Sequence, residues 1–71
     1  MEKNIVGTRV RQARKATGIT QGDLLARLQV LGMTIDQSGI SKLESGKRPV
    51  SDTEVVALAK ALKVSVAWLL E

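Results

Sequence analysis

Four side chains near the middle of the sequence could make hydrogen bonds in one common direction. If their segment is helical, their spacing places them around one polar surface. They bring amide, hydroxyl and ammonium groups, which can hydrogen-bond base edges and phosphates. An ordinary amphipathic surface helix carries the same residue types, so the segment alone leaves both interpretations open. These residues are Gln37, Ser38, Ser41 and Lys42.

The segment around them has the pattern of one short helix followed by a turn. Ile40 and Leu43 are three residues apart and therefore share a helical face. Gly46 stands where a helix C-terminal glycine belongs, and Pro49 prevents any continuation. We therefore expect a helix from about Gln37 to Ser45, with an apolar back and a hydrogen-bonding front.

Positive charge is concentrated in the part of the sequence that holds this helix. The 71 residues carry 11 basic and 7 acidic side chains, a net charge of +4. Residues 1–48 account for +5 and residues 49–71 for −1, and the cations Lys47 and Arg48 close the basic part. Excess positive charge attracts polyanions such as nucleic acids. A charge of this size is also compatible with a role in solubility alone.

The composition disfavours catalysis and metal binding. The sequence has no cysteine and no histidine, so it lacks thiolate ligands and the commonest general base. Most of its carboxylates are better explained as helix caps than as an acid–base pair. We therefore expect no enzymatic activity, no metal, no cofactor and no small-molecule substrate. The capping carboxylates are Asp23, Asp36, Asp52 and Glu54.

Two further classes of protein are disfavoured. Trp68 is the only aromatic residue, whereas proteins that stack single-stranded nucleic acid need several exposed rings. No apolar run approaches the roughly 20 residues needed to cross a bilayer, and no leader resembles a signal peptide. We expect a cytoplasmic protein with no membrane partner.

Capping residues and apolar periodicity predict an all-α chain of five helices in a single domain, residues 1–71. Thr20 and Asp23 have the spacing of a capping box, as do Ser51 and Glu54. Asp36 or Thr34 is expected to cap the middle helix. The other four helices are expected at about Asn4 to Thr17, Thr20 to Gly32, Asp52 to Leu62 and after Ser65.

Each helix has an apolar side that we expect to face one core. Ile35 is expected to enter this core between the second and third helices, and Trp68 is expected to cover one end of it. The expected core residues are Val6, Val10, Ala13, Leu24, Leu25, Leu28, Leu31, Ile40, Leu43, Val55, Leu58, Ala59, Leu62, Val66, Leu69 and Leu70.

Three separated blocks resemble the lambda-repressor-like (Xre, Cro-type) helix-turn-helix family. The resemblance implies a compact five-helix fold whose second and third helices form the helix-turn-helix. It also implies a sequence-specific regulator of transcription, a repressor in particular, that inserts the third helix into the major groove of double-stranded DNA. Such domains bind as homodimers to paired half-sites. The blocks are Gly7-x-Arg9-Val10-Arg11-x-x-Arg14 with Gly18-Ile19-Thr20-Gln21, residues 37–49, and residues 57–65 with Trp68-Leu69-Leu70.

The resemblance implies roles for individual residues as well. Arg14 and Glu44 would form a partly buried salt bridge that ties the first helix to the third. Gln21 would contact a phosphate and brace Gln37. The implied base contacts are Gln37, Ser38 and Lys42, to which the shared polar surface adds Ser41. The implied phosphate contacts are Gln21, Ser45, Lys47 and Arg48.

Two features depart from the family pattern. The connection between the second and third helices is about five residues longer, at roughly Gln29 to Thr34, and it either lengthens the second helix or reshapes the turn. Gly39 stands where a side chain is common, which removes one possible base contact. Because a fold does not fix a function, the alternative is a protein-interaction module of the same fold, such as an antitoxin or an anti-regulator.

Overall fold

The computed structural model describes residues 5–71, and this part of the chain forms five α-helices and no strand. The all-α prediction is confirmed. The expected helix start at Asn4 lies outside the described residues, and Ile5 and Val6 precede the first helix without being part of it. The helices are α1 (Gly7–Ala16), α2 (Gln21–Val30), α3 (Gln37–Glu44), α4 (Asp52–Leu62) and α5 (Val66–Leu70).

Side-chain caps start the four helices α2 to α5. Thr20 accepts a hydrogen bond from the backbone N–H of Asp23, and the Asp23 carboxylate accepts one from the backbone of Thr20. Ser51 and Glu54 form the same reciprocal pair at α4. Asp36, rather than Thr34, caps α3. Each cap stabilises its helix by about 1 kcal/mol, so these local residues determine where the helices begin.

One hydrophobic core joins all five helices. Its fully buried side chains each stabilise the fold by about 1.5–3 kcal/mol relative to an exposed position. Most of the predicted core is confirmed, including the apolar stripe of α1 and that of α4. The largest fully buried side chains are Val6, Val10, Leu24, Leu28, Ile40, Leu43, Leu58, Leu62 and Leu69.

Two leucines that were predicted to be buried lie on the surface. Leu31 is 44% exposed and Leu70 is 47% exposed. Leu31 follows the last residue of α2, where the helical period no longer determines its direction. Leu69 takes the inward position of the short α5, which leaves the adjacent Leu70 facing outward. Met33 is buried instead, although no periodic pattern predicted it.

Trp68 packs against the core as expected, and it also contacts α1. The guanidinium carbon of Arg9 lies 4.7 Å from the centroid of the Trp68 ring. This cation–π geometry contributes about 0.5–1 kcal/mol at a partly exposed site. It fastens the last helix to the first, beside the end of the core that Trp68 covers.

The connection between α2 and α3 is anchored rather than loose. Met33 is buried in the core and Ile35 is half-buried against it. A Cβ atom at Gly39 would lie 2.7 Å from Cγ1 of Ile35, so the missing side chain lets this connection pack on α3. Because α2 ends at Val30, the first two of the extra residues lie in the helix, and residues 31–34 reshape the turn.

Helix α1 approaches the end of α3 at a single glycine. A Cβ atom at Gly7 would collide with the backbone carbonyl oxygen of Leu43, and it would lie 3.2 Å from that of Glu44. Any side chain here would push the two helices apart. Gly7 therefore allows the close approach that positions α3 against α1.

No helix among residues 5–71 is both long and apolar enough to span a bilayer.

Candidate nucleic-acid interface

All four predicted base-contacting residues lie on the exposed side of α3. On the opposite side Ile40 and Leu43 are fully buried, and they fix the rotation of the helix. Glu44, the one carboxylate of α3, points inward. The exposed side is therefore neutral or positive and rich in hydrogen-bonding groups. Its members are Gln37, Ser38, Ser41 and Lys42, whose contact with bases stays a prediction.

Gln21, the first residue of α2, is hydrogen-bonded to three side chains of α3. Its Oε1 accepts from Nε2 of Gln37 at 2.9 Å and from Oγ of Ser41 at 3.3 Å. Its Nε2 donates to Oε1 of Glu44 at 3.1 Å. One amide group thus links α2 to α3, beside the polar surface of α3.

Arg14 and Glu44 form an ion pair beneath this amide. The Arg14 Nε and Nη2 atoms donate to the two carboxylate oxygens at 2.7 and 3.1 Å. The side chains are only 12% and 4% exposed. The hydrogen bond to Glu44 raises the pKa of the Arg14 guanidinium above its usual value. A third Arg14 nitrogen donates to the carbonyl oxygen of Ile19 at 3.1 Å, so the guanidinium links α1, α3 and the turn before α2.

The three candidates that follow α3 differ in their surroundings. Ser45 is exposed and its hydroxyl donates to the carbonyl oxygen of Lys42 at 3.1 Å. Lys47 is exposed. Arg48 instead donates to both carboxylate oxygens of Glu54, at 3.1 and 3.2 Å. Contact with phosphate stays a prediction for all three, and Lys47 is the cation more openly presented to solvent.

The Arg48–Glu54 pair has a testable effect on stability. The hydrogen bonds from Arg48 lower the pKa of the Glu54 carboxyl, although burial opposes the shift. Because the folded-state pKa lies below the unfolded value of about 4.3, the pair stabilises the fold above that pH. Its contribution is lost as the pH falls through the folded-state pKa.

We expect Glu54→Gln to lower the free energy of unfolding by about 1 kcal/mol at neutral pH. The difference from the wild type should shrink as the solution is acidified below the unfolded-state pKa. Urea denaturation at a series of pH values measures it. Asp52→Asn removes a carboxylate from the same first turn of α4 but outside the Arg48–Glu54 pair; as the matched control it should cost only about 0.3 kcal/mol. A difference for Glu54→Gln that stays constant with pH would contradict the assignment.

Two of the contacts near α3 were not predicted from the sequence. The bond between Gln21 and Glu44 joins residues 23 apart, and only the family resemblance indicated that Gln21 lies beside α3. The Arg48–Glu54 pair spans a turn around Pro49 that has no periodic signal. Within residues 5–71, no group of carboxylates is arranged to hold a metal ion.

The comparisons with known proteins agree with this architecture. A family model described as helix-turn-helix matches residues 10–69, from within α1 to within α5. The crystal structure of the restriction-modification controller protein C.AhdI from Aeromonas hydrophila is similar, with a TM-score of 0.77 and 31% sequence identity. The similarity covers 90% of this chain and 89% of that one. No curated protein gives a significant match to the sequence.

Proposed function

Because the chain belongs to the helix-turn-helix family of DNA-binding transcriptional regulators, we propose that it reads a specific sequence by inserting α3 into the major groove. The observation that carries the proposal is the exposed polar side of α3, held outward by the buried Ile40 and Leu43. A major groove about 12 Å wide admits a single α-helix. In this mode of docking, the first residues of the recognition helix reach the base edges.

Gln37 is the strongest candidate for a base contact, because it is the first residue of α3. One amide hydrogen is donated to Gln21, which leaves Oε1 and a second N–H for a ligand. A donor and an acceptor side by side match N7 and the N6 amine of adenine. Lys42, five residues further on, has an ammonium group that suits either guanine or a phosphate.

Phosphate contacts would flank the helix on both sides. At one end Gln21 keeps a second amide hydrogen after donating to Glu44. At the other end lie Ser45 and the exposed Lys47. Arg48 would support this side through its pair with Glu54 or reach a phosphate itself. The net charge of +5 on residues 1–48 favours such contacts, because neutralising phosphates releases counterions.

The proposal includes a homodimer on DNA and a cytoplasmic location. Two copies would read half-sites about 34–36 Å apart, one turn of the duplex. The exposed Leu70, at the end of α5, offers apolar surface for a second copy. Family membership favours a regulator over an enzyme, and it also favours a regulator over a protein-interaction module.

Selection from random duplexes should recover one preferred site with two-fold symmetry, and a pool without any preference would contradict the proposal.

A pair of variants separates base contact from phosphate contact. Gln37→Ala should weaken binding to the selected duplex by about 1–3 kcal/mol and relax the preference at one base pair. Lys47→Ala should weaken binding to selected and scrambled duplexes alike, and it should reduce the salt slope by about one. Titrations of both duplexes at several salt concentrations measure these effects. Equal losses for Gln37→Ala on both duplexes would show that Gln37 does not read bases.

A further inference from the structure

A buried carboxylate, that of Glu44, determines which groups donate and which accept in the hydrogen bonds on the exposed side of α3. A carboxylate accepts hydrogen bonds and cannot donate them. Oε1 of Glu44 lies 3.1 Å from one end of the Gln21 amide. That end must therefore be the NH2 group, and the other end must be the carbonyl oxygen. Arg14 holds both carboxylate oxygens in place, so Glu44 keeps this orientation.

Because of this orientation of the Gln21 amide, its two neighbours on α3 must act as hydrogen-bond donors. The Gln21 Oε1 can only accept, and it lies within hydrogen-bond distance of Gln37 Nε2 and Ser41 Oγ. Ser41 has one hydroxyl hydrogen, and this bond uses it. Gln37 has two amide hydrogens and gives one of them. The carbonyl oxygen has two lone pairs, so both bonds form together.

With its hydrogen donated to Gln21, the Ser41 hydroxyl can only accept a hydrogen bond from a ligand. Ser41 is exposed on the polar side of α3, where a ligand in the groove would meet the remaining lone pairs. In the major groove, the hydrogen-bond donors are the N6 amine of adenine and the N4 amine of cytosine. Guanine and thymine present only acceptors there, apart from the thymine methyl group. A serine that was not hydrogen-bonded to Gln21 could rotate and donate to those acceptors.

We propose that Glu44 and Gln21 are positioning residues that set the base preference of Ser41. By fixing the direction of the hydrogen bonds, they restrict Ser41 to a base that carries an exocyclic amine, adenine or cytosine. This inference rests on the proposed function, because it concerns the base that α3 meets in the groove. It assigns to the buried ion pair a part in specificity as well as in stability.

The first test needs only the wild type, the Ser41→Ala variant and the duplex recovered by selection. Each base pair is substituted in turn, and the pair at which Ser41→Ala loses its preference is the one that Ser41 reads. Adenine or cytosine is expected on the strand it contacts. Replacing that base by purine or 2-pyrimidinone, which lack the amine, should weaken wild-type binding about fivefold more than it weakens Ser41→Ala.

The second test removes the hydrogen bond between the Ser41 hydroxyl and Gln21. Glu44→Gln would break the ion pair and endanger folding, so Gln21→Met is used, which removes the amide and keeps the length of the side chain. The penalty for guanine or thymine at the Ser41 position should fall about fivefold, and circular dichroism at the assay temperature checks that the variant remains folded. Gln29→Met, an exposed glutamine in the last turn of the same helix, is the matched control and should keep the wild-type preference.

The outcomes separate this inference from the function on which it rests. A preferred duplex with guanine or thymine at the Ser41 position overturns the inference and leaves the proposed function standing. So does an unchanged base preference in Ser41→Ala, or a preference in Gln21→Met that matches Gln29→Met. Failure of the selection to give any preferred duplex overturns both.

Discussion

Replacing Arg14 by methionine is expected to lower the free energy of unfolding by about 3–5 kcal/mol. The Glu44 side chain is 4% exposed, so its charge is shielded from water and depends on Arg14 for compensation. Methionine fills similar space but leaves the carboxylate, among residues 5–71, with only the hydrogen bond from Gln21. A domain of this size without disulfides has a stability of about 3–5 kcal/mol, so much of the variant should be unfolded at room temperature.

Urea denaturation followed by circular dichroism measures this loss. Two further variants serve as controls. Arg11→Met removes an exposed cation from the same helix and should change stability by less than about 0.5 kcal/mol. The double variant Arg14→Met, Glu44→Leu removes both charges and should recover much of the stability. If Arg14→Met costs no more than Arg11→Met, the pair does not stabilise the fold.

The second large effect is expected from the core. Leu58 is fully buried in α4, which packs against α1, α2 and α5. Leu58→Ala should therefore lower the free energy of unfolding by about 2–5 kcal/mol, through lost burial and the cavity that remains. Val56→Ala, on the exposed side of the same helix, is the matched control and should change stability little.

The thermal midpoint of each variant, measured with and without the selected duplex, tests the core prediction further. Bound DNA stabilises only the folded state, so a saturating duplex should raise the midpoint of Leu58→Ala and show that the fold is retained. Equal stability of Leu58→Ala and Val56→Ala would show that Leu58 does not hold α4 in the core.

The sequence predicted those parts of the fold that depend on neighbouring residues. The capping boxes at Thr20 and Ser51 use residues three apart, and the stripe of α4 repeats with the helical period. Leu31 was placed wrongly because it follows the end of α2, where the period stops determining direction. Leu70 was placed wrongly because the adjacent Leu69 takes the inward position of α5. Met33 belongs to no periodic segment, so only the assembled core shows why it is buried.

The candidate site was predictable to a similar extent. The polar side of α3 follows from residue spacing, and the family resemblance brought in Gln21, Arg14 and Glu44. The resemblance is confirmed by the family match and the similar crystal structure. The Glu44–Gln21 bond and the Arg48–Glu54 pair depend on the packing of separate helices and on the turn at Pro49, which the spacing of residues does not reveal.

The anchored connection before α3 has a consequence for the thermodynamics of docking. A loose connection would lose about 1–2 kcal/mol of backbone entropy for each residue that becomes ordered on DNA. Met33 and Ile35 already hold this segment against the core, and Gly39 leaves room for it. The longer connection is therefore already ordered in the free protein, and in the proposed docking α3 would meet the duplex with most of that entropy already lost during folding.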